Sequence, residues 1–139
     1  MTDRAPSWTE AASRGDVPAL ERLLAAGTDI DAKDAHGQTA LMLAALEGHE
    51  RTVAFLADRG ASLDHTAEYH LTALMLAVIR GHRWVAQSLV NAGADLTIRG
   101  AGAPGFEGKT ALDLAAVRGY DDLVEILRRA DRGRIKHVG

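Results

Sequence analysis

The sequence predicts an all-α solenoid of four helix-turn-helix units joined by extended finger loops, and two regularities carry that prediction. Thr39-Ala40-Leu41-Met42-Leu43-Ala44 returns 33 residues later as Thr72-Ala73-Leu74-Met75-Leu76-Ala77, and Thr110-Ala111-Leu112-Asp113-Leu114-Ala115 follows after a further 38. The glycines keep the same spacing. Gly15, Gly48, Gly81 and Gly119 mark one turn, and Gly27, Gly60 and Gly93 mark another. A repeat of this length is the mark of a stack in which each unit buries its apolar face against its neighbours.

The units fall at about 7–34, 35–67, 68–105 and 106–130 of the 139 residues, with a flexible N-terminus at 1–6 and a basic C-terminal tail at 131–139. In the first, Ser7-x-x-Glu10 has the form of a capping box, in which hydroxyl and carboxylate each accept from a backbone N–H of the opening turn. In the second, Thr39 caps a helix whose Leu41, Ala44 and Ala45 share one face. Gly48 ends it. Val53, Leu56 and Ala57 repeat the i, i+3, i+4 spacing on a second short helix that stops before Gly60, the residue type best suited to a positive φ past a helix end. The third unit repeats this pattern from Thr72, and the fourth regains a capping box in Thr110-x-x-Asp113. Small residues at Ala44, Ala45, Ala77, Ala115 and Ala116 let the helices approach closely. Each helix is roughly two to three turns, below the ~12 to 15 residues an isolated helix needs, so stacking must hold it.

Gly27-Thr28-Asp29-Ile30-Asp31, Gly60 through Asp64, and Gly93-Ala94-Asp95-Leu96-Thr97 lead from each second helix into a finger. The run Gly37-x-Thr39-Ala40-Leu41-x-x-Ala44-Ala45-x-x-Gly48-His49, followed by Val53, Leu56 and Gly60-Ala61, resembles the ankyrin repeat, and the likeness covers about residues 7 to 130. The departures are specific. The family's Thr-Pro-Leu-His is here Thr-Ala-Leu-Met twice and Thr-Ala-Leu-Asp once, which removes the proline of the first turn and the histidine that braces the threonine. His70 stands where the finger normally has glycine. Asp31, Asp64 and Thr97 replace the Asn that often ends the repeat, so no role of that Asn is carried over.

Composition narrows the function. Apolar residues make up 47% and aromatics only 4%, which fits a core of Ala and Leu. No stretch approaches the ~20 apolar residues of a membrane helix, and the first seven residues lack the apolar core of a secretion signal, so a cytoplasmic location is expected. Cys is absent, which excludes disulfides, zinc–thiolate sites and thiol nucleophiles. Arg in excess of Lys and abundant Ala fit a GC-rich bacterial genome. A net charge of −3 argues against general nucleic-acid binding. Arg128, Arg129, Arg132, Arg134 and Lys136 form a basic end, open to two readings: a docking tail, or a solvated, partly frayed terminus that complements the last helix dipole.

No chemistry of catalysis emerges. His49 and His82 hold a structural position after the glycine, and His137 sits in the tail. His36, His65 and His70 lie on neighbouring fingers without the rigid helical pair a zinc site would use. Gly108-Lys109-Thr110 aligns with Gly37-Gln38-Thr39 and reads as finger and cap, not as a phosphate loop. Asp121-Asp122 opens a helix, where acidic residues complement the dipole. The chain is expected to be non-enzymatic, without metal or cofactor.

The expectation is therefore a binding module. In ankyrin-like stacks the finger tips and the exposed side of each first helix form a concave face, and the resemblance assigns to it Lys33, Ala35, His36, Gln38, Leu46 and Glu47; Thr66, Glu68, Tyr69, Leu71, Ile79 and Arg80; and Arg99, Phe106, Glu107, Lys109, Val117 and Arg118. Leu46, Leu71, Ile79 and Val117 are aliphatic there, and Tyr69 and Phe106 are aromatic anchors; the plainer reading is that Ile79 and Val117 only thicken helix contacts. Cations outnumber carboxylates on this face, which favours a protein partner with an acidic patch. On its own the chain is expected to be a monomer. Two alternatives stand beside a general scaffold: an accessory or inhibitory subunit of a particular enzyme or toxin, and a small-ligand or metal site on the fingers. The five-residue insertion at about Gly100 to Gly105 is either part of the binding face or tolerated drift. Trp84 faces outward on its helix, as a lid over neighbouring aliphatics or, less favoured, as a convex contact.

Overall fold

The computed structural model describes residues 5–136; residues 1–4 of the expected flexible N-terminus and residues 137–139 of the expected tail, His137 among them, lie outside the described residues. Eight α-helices follow in pairs among the described residues: α1 (Trp8–Arg14) with α2 (Val17–Ala25), α3 (Ala40–Glu47) with α4 (Glu50–Asp58), α5 (Ala73–Ile79) with α6 (Arg83–Ala92), and α7 (Ala111–Val117) with α8 (Asp121–Lys136). First helices stack as α1 on α3 on α5 on α7, and second helices as α2 on α4 on α6 on α8.

The caps follow the local chemistry. Ser7 with Glu10 and Thr110 with Asp113 close capping boxes, and Thr39 Oγ1 accepts from Met42 N at 3.2 Å. Where the family's brace is missing, sulfur substitutes: Thr72 N donates to Met75 Sδ at 3.4 Å. The buried cluster is made of Ala, Leu, Val and Met with Trp8, whose indole N–H donates to Ile30 O across the first unit.

Units are also tied through their turns. His49 Nε2 donates to Ser13 O at 2.7 Å, and His82 Nε2 to Leu46 O at 2.9 Å, so each ring spans to the preceding helix end. The glycines accept those rings. A Cβ at Gly15 or Gly48 would lie within 3 Å of a ring atom of His49 or His82. Along the fingers, Asp31 accepts from Ser62 N at 2.9 Å and Asp64 from Asp95 N at 2.8 Å. The aspartates in the place of the usual Asn thus link one finger to the next.

The last helix corrects one boundary. A unit ending near 130 with a separate tail gives way to a helix that runs on through residues 131–136, because Asp131 occupies the register of Gly60 and Gly93 and no left-handed residue stops it. Arg134 bonds Ala94 O at 2.6 Å and Val90 O at 3.2 Å, satisfying carbonyls at the end of α6.

Candidate partner-binding site

Each finger is closed by one backbone bond in the same register: Asp34 N to Gln38 O at 2.9 Å, Ala67 N to Leu71 O at 3.3 Å, and Gly100 N to Lys109 O at 2.9 Å. The second finger is simple. Asp34 Oδ1 accepts from His36 N and Gln38 N, leaving the His36 side chain exposed and Gln38 half-buried. The third is strained. Tyr69 and His70 take φ of 60° and 59°, the left-handed region that non-glycine residues seldom enter.

The insertion explains how that tip is held. Its extra residues bulge outward while the closing bond of the finger is kept, and Gly108 N bonds back to Gly100 O at 2.9 Å. From it Ala101 N donates to Tyr69 O at 2.8 Å, Arg99 O accepts from His70 Nδ1 at 2.9 Å, and the Phe106 ring lies 5.4 Å from that of Tyr69. Gly100 has no room for a side chain, since a Cβ would sit 2.5 Å from Phe106 O. Two fingers thereby become one element with Tyr69 41% exposed at its surface.

The charges divide into two sets. Arg99 bonds Gly108 O and lies 3.8 Å from Asp113, and Glu107 accepts from Gly102 N at 3.0 Å, so both are engaged within the loop. Glu47, Glu68, Arg80 and Arg118 are exposed, and Lys109 is half-buried. Among the described residues no group of three or more His, Cys, Asp or Glu is placed to hold a metal, and Gly108-Lys109-Thr110 forms finger and helix cap.

The aliphatic positions do not behave alike. Leu71 is 5% exposed and belongs to the core, which removes it from the binding set; it carries an aliphatic chain inward at the register where Gln38 and Lys109 stand half-buried. Leu46 and Ile79 are half-buried and pack against the core, whereas Val117 is 68% exposed. Trp84 is not a lid: it is 59% exposed, with the Arg83 guanidinium 4.4 Å above its ring and Arg83 paired to Asp122 at 2.7 Å. Sequence reasoning missed Tyr69's backbone and the bonds from the insertion. His70 in place of glycine was the available signal.

A family model described as ankyrin repeats (3 copies) matches residues 8–100. Over 52 residues, 37% of this chain, the sequence is 46% identical to Ankyrin repeat domain-containing protein 29 of Danio rerio, and the match spans 17% of that relative's length. The family model stops where the insertion begins, yet α7 and α8 repeat the cap, glycine and packing of the earlier pairs. Ankyrin repeats are generally protein–protein interaction modules and typically non-enzymatic. The matched interval and the stacked helix pairs together establish that the chain belongs to the ankyrin-repeat family.

Proposed function

We propose that this chain is a non-enzymatic scaffold that grips a partner protein through its finger loops and the exposed sides of its first helices. The observation that carries the reading is the doubly left-handed Tyr69–His70 tip locked to the insertion, because backbone strain persists where the surroundings over-determine it and gathers at functional sites. A tip held in this way loses little ordering entropy on docking, and its exposed tyrosine is of a type enriched among interface anchors. Arg80, Arg118 and Lys109 beside Glu47 and Glu68 give that side an excess of positive charge, which suits an acidic patch on the partner.

The test uses Tyr69→Ala, Arg80→Glu and Arg118→Glu combined, all at exposed positions. Affinity capture from the source cell followed by mass spectrometry identifies a partner for the unaltered chain, and the triple variant, folded by circular dichroism, is expected to lose it. Retention of the partner by the folded triple variant would show that the grip lies elsewhere.

A further inference from the structure

The turns between paired helices form a second surface, on which the units can be compared slot by slot. Counting from Gly48, Gly81 and Gly119, the third residue on is Arg51, Trp84 and Asp122. Two units thus place a charge where the third unit exposes an indole. One residue on from the same glycines stand His49, His82 and Tyr120. Each histidine bonds a carbonyl of the preceding unit, whereas the Tyr120 ring only covers Gly81, and its hydroxyl has no hydrogen bond among the described residues. Two hollows open on either side of Gly81 and Arg83, which both share. One of about 310 Å³ is walled also by Glu50 and Trp84, and one of about 340 Å³ by Tyr120, Asp121 and Asp122. Both rings are exposed.

Side chains set the sign of this surface. The C-terminus of each first helix and the N-terminus of each second helix meet at the same turn, so their opposite partial charges offset. Arg83 is committed to Asp122 at 2.7 Å and to the Trp84 ring at 4.4 Å, while exposed Glu50 and Asp121 have no ion pair among the described residues. The neighbouring Arg51, Arg80 and Arg118 wall neither hollow. One unpaired carboxylate therefore stands at each hollow, beside an aromatic ring.

We infer that this turn-side groove binds a basic, proline-containing segment of a partner protein in the polyproline II conformation. Such segments dock on aromatic-lined grooves, and their preformed backbone loses little entropy on binding. The spacing agrees. Successive helices of a stack lie roughly 8–10 Å apart, and three residues of polyproline II rise about 9.3 Å and return a side chain to the same edge. A Lys or Arg at i meets Glu50 in one hollow, one at i+3 meets Asp121 in the next, and the prolines between them lie on Trp84 and Tyr120. The surface is separate from the fingers, so its occupancy does not depend on the grip proposed for them.

Titration of the whole chain with the end-blocked peptide Lys-Pro-Pro-Lys-Pro-Pro-Lys, followed by tryptophan fluorescence, tests the assignment. Trp84 is exposed and Trp8 is buried, so the peptide is expected to shift the indole emission to the blue and to saturate below about 1 mM. Glu50→Gln combined with Asp121→Asn is expected to raise the dissociation constant by about fivefold or more, with the circular dichroism unchanged because both positions are exposed. Tyr69→Ala is expected to leave binding unchanged, which separates this groove from the fingers. Absence of a saturable shift overturns the inference. So does an equal response to Glu-Pro-Pro-Glu-Pro-Pro-Glu, or to a peptide of the same composition with its lysines adjacent, and so does binding that the double carboxylate variant leaves intact.

Discussion

Gly48→Ala separates the two demands that this turn makes on its residue. Gly48 closes α3 at φ 79° and ψ 25°, so any L side chain there meets the left-handed penalty of about 1–2 kcal/mol. A second cost comes from the neighbouring unit. The added Cβ would lie 2.7 Å from Cε1 and 2.8 Å from Nδ1 of His82, whose Nε2 is bonded to Leu46 O at 2.9 Å. The ring cannot withdraw without stretching that bond, and overpacking of this kind costs about 1–3 kcal/mol. The sum is about 2–5 kcal/mol, a large part of the roughly 5–15 kcal/mol that holds a domain folded. Gly119 supplies the control: its φ is 72° and nothing lies within 4 Å, so Gly119→Ala should cost only the backbone part, about 1–2 kcal/mol. Urea unfolding followed by far-UV circular dichroism, on dilute protein, measures both. In a His82→Ala background, the cost of Gly48→Ala should fall to the Gly119→Ala value, as a double-mutant cycle requires if ring and Cβ compete for one space. Equal costs for the two glycine variants in the unaltered background would refute the clamp.

Two further outcomes follow from the same packing. Leu71→Ala should destabilise the fold by about 2–5 kcal/mol, as truncation of a buried leucine does, and should leave the affinity of the folded molecules for a captured partner unchanged; thermal unfolding and titration of that partner check the two halves. Asp95 is held below the ordinary carboxylate value of 3.8 by the hydroxyl and amide of Thr97, so its contribution is complete above that value and is lost as the pH falls through the lower folded one. Asp95→Asn should therefore flatten stability against pH only in the acid range below about 4, measured by urea unfolding at a series of pH values.

Most of the repeat was legible because its signals are local. Thr39, Thr72 and Thr110 cap the turns that directly follow them, and the glycines end helices by their own conformational freedom. Leu71 was misplaced for a different reason. It precedes the cap, outside any helical period, so nothing in the spacing says whether its side chain turns inward. The length of α8 had a visible cause in Asp131, but the bond from Arg134 to Val90 and Ala94 joins positions at least 40 residues apart and depends on the finished stack. The ring–carbonyl ties of His49 and His82 belong to the same class: the recurrence of the residue was plain, whereas its partner in the preceding unit was not.

The backbone at Tyr69 and His70 is tied to the insertion in physical terms. Each residue bears a cost of order 1–3 kcal/mol for its conformation. That cost has to be offset by contacts that a shorter finger would lack. Ala101 N on Tyr69 O, His70 Nδ1 on Arg99 O and the Phe106 ring supply them, and all three come from within or beside the added residues. The added residues, which loop-closure entropy alone would tolerate unordered, are here ordered by these bonds. The inserted segment and the strained tip are therefore one structural element, and the tip's geometry cannot be ascribed to the third unit by itself. It follows that the departure in spacing from 33 to 38 and the replacement of glycine by His70 are a single feature of this chain, expressed at two places in the sequence.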